Sequence, residues 1–308
     1  MTSPMTRGER RKWLRLAKAV VAHHLGSAPA RITWQSGGIT NFVYGVKHQE
    51  GEFILKMTPE KDKLDVFRKE RLASEKARAA GVPTAEVLYV GDEAVPYPYM
   101  LQARVYGQPA MHHPERLKVL EQVGRYGAMI NSIETEGFGH NFTQPPACTT
   151  WAAFLRDEIE LTRRLLALQR HGMLDEDRAE RLRALLESAG EGVAHGQLNH
   201  GDLRLKNVLV DDSGEITAII DWENSLSALA PQWEWSIALH DLSIDAMEAF
   251  LTGYGASPEQ IEAFAPVVKA LNIVNYVPAI EHFVEQGERE PLGWIRTRMS
   301  GALDLYSV

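Results

Sequence analysis

His200-Gly201-Asp202-Leu203-Arg204-Leu205-Lys206-Asn207 runs into Val208-Leu209-Val210, and after one more turn comes Ile219-Ile220-Asp221-Trp222-Glu223. Two carboxylates and one carboxamide thus bracket a short hairpin. Asp202 and Asn207 are five apart around a loop and Asp221 follows the second strand, so a tight turn is expected to bring the three side chains into one cleft. Phosphoryl transfer uses such a set. One carboxylate accepts or orients the attacking hydroxyl, while an amide oxygen and a second carboxylate are hard ligands for Mg²⁺ on nucleotide phosphates. A plain solvated hairpin is the competing reading, because Asp, Asn and Gly are ordinary turn residues. The spacing and the helical pattern that precedes it favour the chemical reading. His200, just ahead of the loop, is expected to be a buried hydrogen-bonder rather than an acid or base.

The H-G-D-x-x-x-x-N spacing and the later I-D-W resemble the catalytic and metal-binding loops of the aminoglycoside phosphotransferase family, which shares the protein-kinase fold. The resemblance implies an α+β, two-lobed chain with a small antiparallel-sheet N-lobe and a mainly helical C-lobe. It implies Asp202 as catalytic base and Asn207 and Asp221 as magnesium ligands, with Gly201 where the protein kinases carry arginine. Arg204 is a candidate to meet the transferring phosphate, since a planar guanidinium suits phosphate oxygens; a surface cation is the alternative.

Upstream, ITWQSGGITNFVYGVKHQEGEFILKM reads as three short strands around a Ser-Gly-Gly turn and a Glu-Gly turn. Ser36, Gly37, Gly38, Thr40 and Asn41 lie where small residues let backbone N–H groups approach phosphate oxygens, although a Gly-Gly hairpin turn has the same composition. Lys56 shares a strand face with Ile54, opposite Phe53 and Leu55, and an inward lysine needs a partner, whereas an edge lysine that merely prevents aggregation is the alternative. The resemblance implies that Lys56 contacts the α and β phosphates and pairs with a glutamate of the next helix. Glu70 is expected there, with Glu75 its competitor. The strand around Gln102, Ala103 and Arg104 resembles the family's inter-lobe connector, whose backbone holds the purine of ATP or GTP.

Around these motifs the chain divides. Residues 10–25 and 62–80 carry helical spacing, and VLYVGD and YPYMLQARVYG read as further strands, so residues 1–105 form the expected nucleotide-binding lobe. Residues 106–308 form the expected catalytic and substrate-binding lobe, with helices over 115–133, 150–170, 176–189, 232–251, 258–270 and 272–286. Two departures from the family pattern stand out: Ile130-Asn131 replaces Leu-His, and Trp233-Glu234-Trp235-Ser236-Ile237-Ala238 replaces an Asp-Leu-Ala type segment.

Composition narrows the class. With 44% hydrophobic and 24% charged residues the chain reads as globular, and 33 basic against 41 acidic side chains argue against a broad nucleic-acid-binding face. The single cysteine, Cys148, forms no intramolecular disulfide and fits a reducing compartment. Neither a leader nor an apolar run of membrane length is evident, so a cytoplasmic monomer or homodimer with no membrane partner is expected.

The expected partner is a small-molecule acceptor, and an aminoglycoside-type antibiotic suits a cationic one. Candidate contacts are Asp202, Glu223, Asn224, Asn275, Tyr276, Glu281, His282 and Glu285; Glu281 and Glu285, four apart, share a helix face that is either a wall for amines or simply solvated. Trp151, Trp233, Trp235 and Trp294 are either sugar-stacking surfaces or core. A kinase of another hydroxylated metabolite (a sugar, amino alcohol or macrolide) is the alternative within the class. Outside it stand a nucleotide-binding pseudoenzyme and a metal-dependent hydrolase built on His195, His200, Asp202 and Asp221. The hydrolase leaves the Gly-Gly turn, Lys56 and Glu70 without roles.

Overall fold

The computed structural model describes residues 6–35, 41–142, 145–240, 242–288 and 290–296. The chain opens with α1 (Arg7–Leu25), then β1 (Arg31–Gln35), β2 (Phe42–His48), β3 (Gly51–Met57), α2 (Leu64–Ala79), β4 (Val87–Gly91), β5 (Tyr99–Ala103) and β6 (Gln108–Pro109). Next come α3 (Arg116–Asn131), β7 (Glu134–Thr135), α4 (Trp151–Asp157), α5 (Leu161–Arg170), α6 (Glu176–Ser188), β8 (Gly196–Asn199), β9 (Val208–Val210), β10 (Ile216–Ile219) and β11 (Leu226–Ala228). Helices α7 (Gln232–Ala238), α8 (Ile244–Tyr254), α9 (Pro258–Asn275) and α10 (Val277–Glu285) complete the order.

Two compact units divide this chain. One comprises residues 1–114 and 205–223, the other 115–204 and 224–308. The first is built on an antiparallel sheet of order β1-β2-β3-β5-β4. Alternation along β3 decides its two faces. Phe53, Leu55 and Met57 join Tyr99 and Leu101 of β5 against Trp13, Ala17, Val20 and Val21 of α1. The next residues on β3 and β5 turn the other way, where Met100 packs with Phe67 of α2. The amphipathic α1 starts at a capping box, Thr6 with Glu9, which satisfies donors that the first turn leaves open. A second small sheet, β10-β9-β6, belongs to the same unit and carries the hairpin quoted above.

The second unit is mainly helical, with a three-stranded sheet of order β11-β8-β7. Phe138, Trp151, Phe154, Leu168 and Trp233 pack with Leu271, Val274 and Ile280 in one buried cluster. By length and composition the run Pro258–Glu285 has one window apolar enough to cross a membrane, which a count of uninterrupted apolar residues overlooks. Val267, Ala270, Leu271, Ile273 and Val274 of this run are core residues of the unit.

Several expected helices are divided. The helix expected over 150–170 is α4 and α5, separated where Glu160 takes a left-handed φ of 54°. The helix expected over 232–251 is α7 and α8, and Ser243 ahead of α8 is extended. Periodicity survives such breaks because the same face stays buried on both sides. The strands β7, β8 and β11 were not expected from sequence: GQLN and LSA are short and lack the β-branched alternation that marks a strand.

Candidate active site

The first unit contains a buried ion-paired cluster. Lys56 Nζ, on the inner face of β3, lies 2.6 Å from Glu70 Oε1 of α2 and 3.1 Å from Asp221 Oδ1. Glu70 is the partner because α2 turns that side toward the sheet and buries it, whereas Glu75 points outward and accepts from Arg71 at 2.7 Å. Burial alone would pull the Lys56 ammonium down, but the charges of Glu70 and Asp221 outweigh it and hold the group above its ordinary range. Burial pushes the Glu70 carboxyl up, against the attraction of Lys56, with the Asp221 carboxylate adding to the push. The single ammonium is therefore shared by two carboxylates.

Asp221 sits at φ 67°, a left-handed backbone uncommon outside glycine, two residues after the end of β10. Such a conformation is found where the surrounding structure holds a functional side chain in place. Asn207 is buried and ends a 3-10 turn beside β9, where its carbonyl accepts from the amide of Ile220 at 2.9 Å. The ladder of the β9–β10 hairpin thus brings Asn207 and Asp221, 14 residues apart in sequence, to one end of it. Asn41 Nδ2 donates to Glu223 Oε2 at 3.3 Å, which joins the start of β2 to the turn after Asp221. Ser36, Gly37, Gly38 and Thr40 lie outside the described residues.

Two amides of the connector are already engaged. The Ala103 amide donates to the Glu86 carbonyl and the Arg104 amide to the Glu52 carbonyl, so both are spent on neighbouring backbone. The Arg104 side chain reaches Glu52 and lies over the ring of Tyr106, while Gln102 sits in the β5 ladder opposite Ile54.

The second unit holds the loop that precedes Leu205. Gly201 has φ 75°, and a side chain there would run into the Asn224 carbonyl, so the glycine is required both by its backbone and by that close approach. Asp202 is buried, its amide donates to His200 Nδ1 at 3.3 Å, and its carboxylate accepts from Arg204 Nε at 2.5 Å. Behind the loop stands Glu234 of α7, fully buried, which accepts from the His200 amide at 2.5 Å. Burial pushes the Glu234 carboxyl up to about 7, against the His200, Gly201 and Leu203 amides, which favour its ionised form. This residue was not among those selected from sequence. Its signal was the acidic residue inside the apolar Trp233-Glu234-Trp235 run, since a carboxylate amid core residues needs donors. Asn131 is buried as well, donating to the Leu198 carbonyl at 2.9 Å and accepting from Tyr254 at 2.8 Å.

The acceptor-side candidates scatter. Tyr276 lines a cavity of the second unit together with Arg204. Glu281 is instead held by Arg163 at 2.6 Å, His282 and Glu285 are exposed on α10, Asn224 is exposed, and Asn275 accepts from Arg164 at 3.3 Å. Trp151, Trp233 and Trp235 are core, whereas Trp294 is 66% exposed.

A buried strand lysine paired to a helix glutamate, beside a carboxylate and a carboxamide at one end of a hairpin, defines with this fold a phosphotransferase of the kinase-like class. The chain belongs to the phosphotransferase enzyme family, APH, whose model matches residues 33–267. A search of curated proteins by sequence found no match. Among solved structures the chain is similar to aminoglycoside phosphotransferase APH(4)-Ia, with 19% identity, a TM-score of 0.71, and coverage of 94% of this chain and 98% of that one. A thermostable mutant of the same protein, in ternary complex with ADP and hygromycin B, gives a TM-score of 0.69 at 20% identity, covering 94% and 99%. The GDP and kanamycin complex of APH(2")-IIia gives 0.63 at 14% identity, covering 94% and 98%. These likenesses establish the kinase-like fold.

Proposed function

We propose that this enzyme transfers the γ-phosphate of ATP, or of GTP, to a hydroxyl of a small molecule. The observation that carries the reading is the ammonium of Lys56 held between Glu70 and Asp221, because a lysine fixed in that way is pre-aimed at phosphate oxygens without having to reorganise. Asp202 is assigned as the base that orients the acceptor hydroxyl and takes its proton, and Arg204, already bonded to Asp202, neutralises charge near the transferring group. Asn41, close in sequence to Gly37 and Gly38, and the Gln102–Arg104 strand are assigned to the nucleotide; with the Ala103 and Arg104 amides spent, recognition of the base there falls to carbonyls and side chains.

Magnesium fits the donor set. Asp221 and Asn207 offer hard oxygens, and no cysteine or histidine competes beside them in the β9–β10 hairpin. Asp221 and Asn207 would hold the ion, which supplies charge neutralisation on the phosphates. The relatives of known structure bind hygromycin B or kanamycin with ADP or GDP, and an aminoglycoside is the acceptor their example suggests. The test is transfer of label from γ-labelled ATP and Mg²⁺ to a panel of hydroxylated acceptors by the full chain. Native protein is expected to label at least one acceptor and Asp202→Asn none. Equal labelling by the two proteins would overturn the assignment of the base.

A further inference from the structure

We propose that the protein carries a transition-metal site apart from the phosphotransfer residues, in which His23, His24 and Glu93 take one Zn²⁺. Each of the three side chains offers one ligand atom, and these atoms lie within 4.8 Å of one another. His24 Nε2 is 3.6 Å from Glu93 Oε1. Two ligands of one tetrahedral zinc stand about 3.4 Å apart, given bonds of ~2.0–2.1 Å, so this pair is close to chelating distance. The ring of His23 meets that of His24 edge-on with centroids 4.7 Å apart. His23 is exposed, and a turn of its side chain closes the third bond.

The fold explains why these residues meet. His23 and His24 lie in the last turn of α1, which ends at Gly26 with φ 71°. Carbonyls at a helix C-terminus carry partial negative charge and favour a cation. Glu93 lies two residues beyond β4, and its carboxylate is folded back over Gly91, where the Cβ of any other residue would collide with it. The His24 ring stacks on Tyr89 with centroids 4.1 Å apart, and its Nε2 is 2.8 Å from the Tyr99 hydroxyl. That hydroxyl also meets the Glu93 carboxylate. When zinc takes Nε2, the hydroxyl turns wholly to the carboxylate and becomes the outer partner that orients a ligand. These contacts account for His24 and Glu93 without an ion. They do not account for His23, which makes no hydrogen bond or ion pair among the described residues although its ring stands beside the other two ligands.

The donor set chooses the ion. Two imidazoles and one carboxylate suit zinc and its neighbours, whereas Mg²⁺ prefers oxygen ligands. Ordinary histidines are mostly neutral above about pH 6.5, so the three ligands together carry one negative charge. The charged groups that act on the His24 ring are His23 and Glu93, neither of them a fixed cation. Tyr99 faces α1 across the sheet from the side that Lys56 occupies, so an ion here ties the end of α1 to the β4–β5 connection and is independent of phosphoryl transfer.

The test is calorimetric titration of Zn²⁺ into the EDTA-treated, dialysed full chain at neutral pH, with millimolar Mg²⁺ present to compete at the hard-oxygen residues near Asp221. The native protein is expected to bind one Zn²⁺ with a Kd in the micromolar range or tighter. His23→Ala and Glu93→Gln are each expected to weaken binding by about tenfold or more, the scale on which lost partners act at metal sites. Both side chains are exposed, so neither change threatens the fold. In imidazole-nitrogen NMR, zinc is expected to shift two of the 11 histidines, and one of the two signals should be missing in His23→Ala. Binding no tighter than millimolar, an affinity unchanged in either variant, or histidine shifts that His23→Ala leaves intact would each overturn the proposal.

Discussion

At the scale of single residues, Lys56 and Glu234 illustrate two uses of a buried charge. Lys56→Met leaves Glu70 buried without its cation, and a loss of about 3–5 kcal/mol is expected in chemical denaturation. Adding Glu70→Gln to that variant should recover most of the stability, because the stranded carboxylate is gone. Neither variant should transfer phosphate well, with kcat/KM down roughly 100-fold or more, since the donor aimed at the phosphates is missing. Recovery of activity along with stability would show the pair to be structural only. Glu234 answers to pH. Its carboxyl is raised from the ordinary 4.5 to about 7, so between these values the folded chain keeps a proton that the unfolded chain has released. Stability from this group is therefore lost as pH rises through that window and is level above it, a decline of up to about 3 kcal/mol. In Glu234→Gln the decline should be absent, and equal slopes for the two proteins between pH 4.5 and 7 would refute the assignment. The sequence marked Lys56, Glu70 and Asp221 by spacing and resemblance. It left Glu234 unmarked, because its role is to accept from amides of a loop 34 residues away.

Among the elements, α3 and α8 approach backbone to backbone. A methyl group at Gly124 would run into the Phe250 carbonyl, and one at Gly253 into the Glu121 carbonyl. Backbone cannot yield as a flexible side chain does, so the helices would have to separate. Gly124→Ala is expected to destabilise the protein by more than about 3 kcal/mol, despite alanine's higher helix propensity. A neutral or stabilising effect in urea denaturation would show that α3 and α8 do not approach this closely. Helix positions were legible from the apolar period, and the caps Thr6 and Ser257 agree with it. The breaks at Glu160 and Ser243 were not legible, since a short interruption between two helices leaves an apolar stripe on both sides.

For the whole molecule, the family and the kinase-like fold set the expectation of nucleotide binding. A ligand at 100 times its Kd stabilises the folded chain by about 2.7 kcal/mol, so MgATP should raise the Tm of the native protein and leave that of Lys56→Met nearly unchanged. An unmoved Tm in the native protein across millimolar MgATP and MgGTP would count against the nucleotide reading. The net charge of −8 is a sum over the whole chain, whereas the charges next to the cavity that includes Arg204 are paired locally, Arg204 with Asp202. Bulk charge therefore says little about what the cavity accepts.

By itself the sequence determined the class of fold and marked the candidate site residues, because those depend on short-range facts: alternation along β3, the helical period of α2, and the spacing of Asp202, Asn207 and Asp221 that carries the family resemblance. Only the tertiary structure decided that Glu70 rather than Glu75 meets Lys56, that Glu281 is spent on Arg163, and that Glu234 supports the loop at Asp202. Each of these is a choice among chemically equivalent side chains. It is settled by which face of a helix the core buries, and the burial of a face is a property of all the elements packed against it.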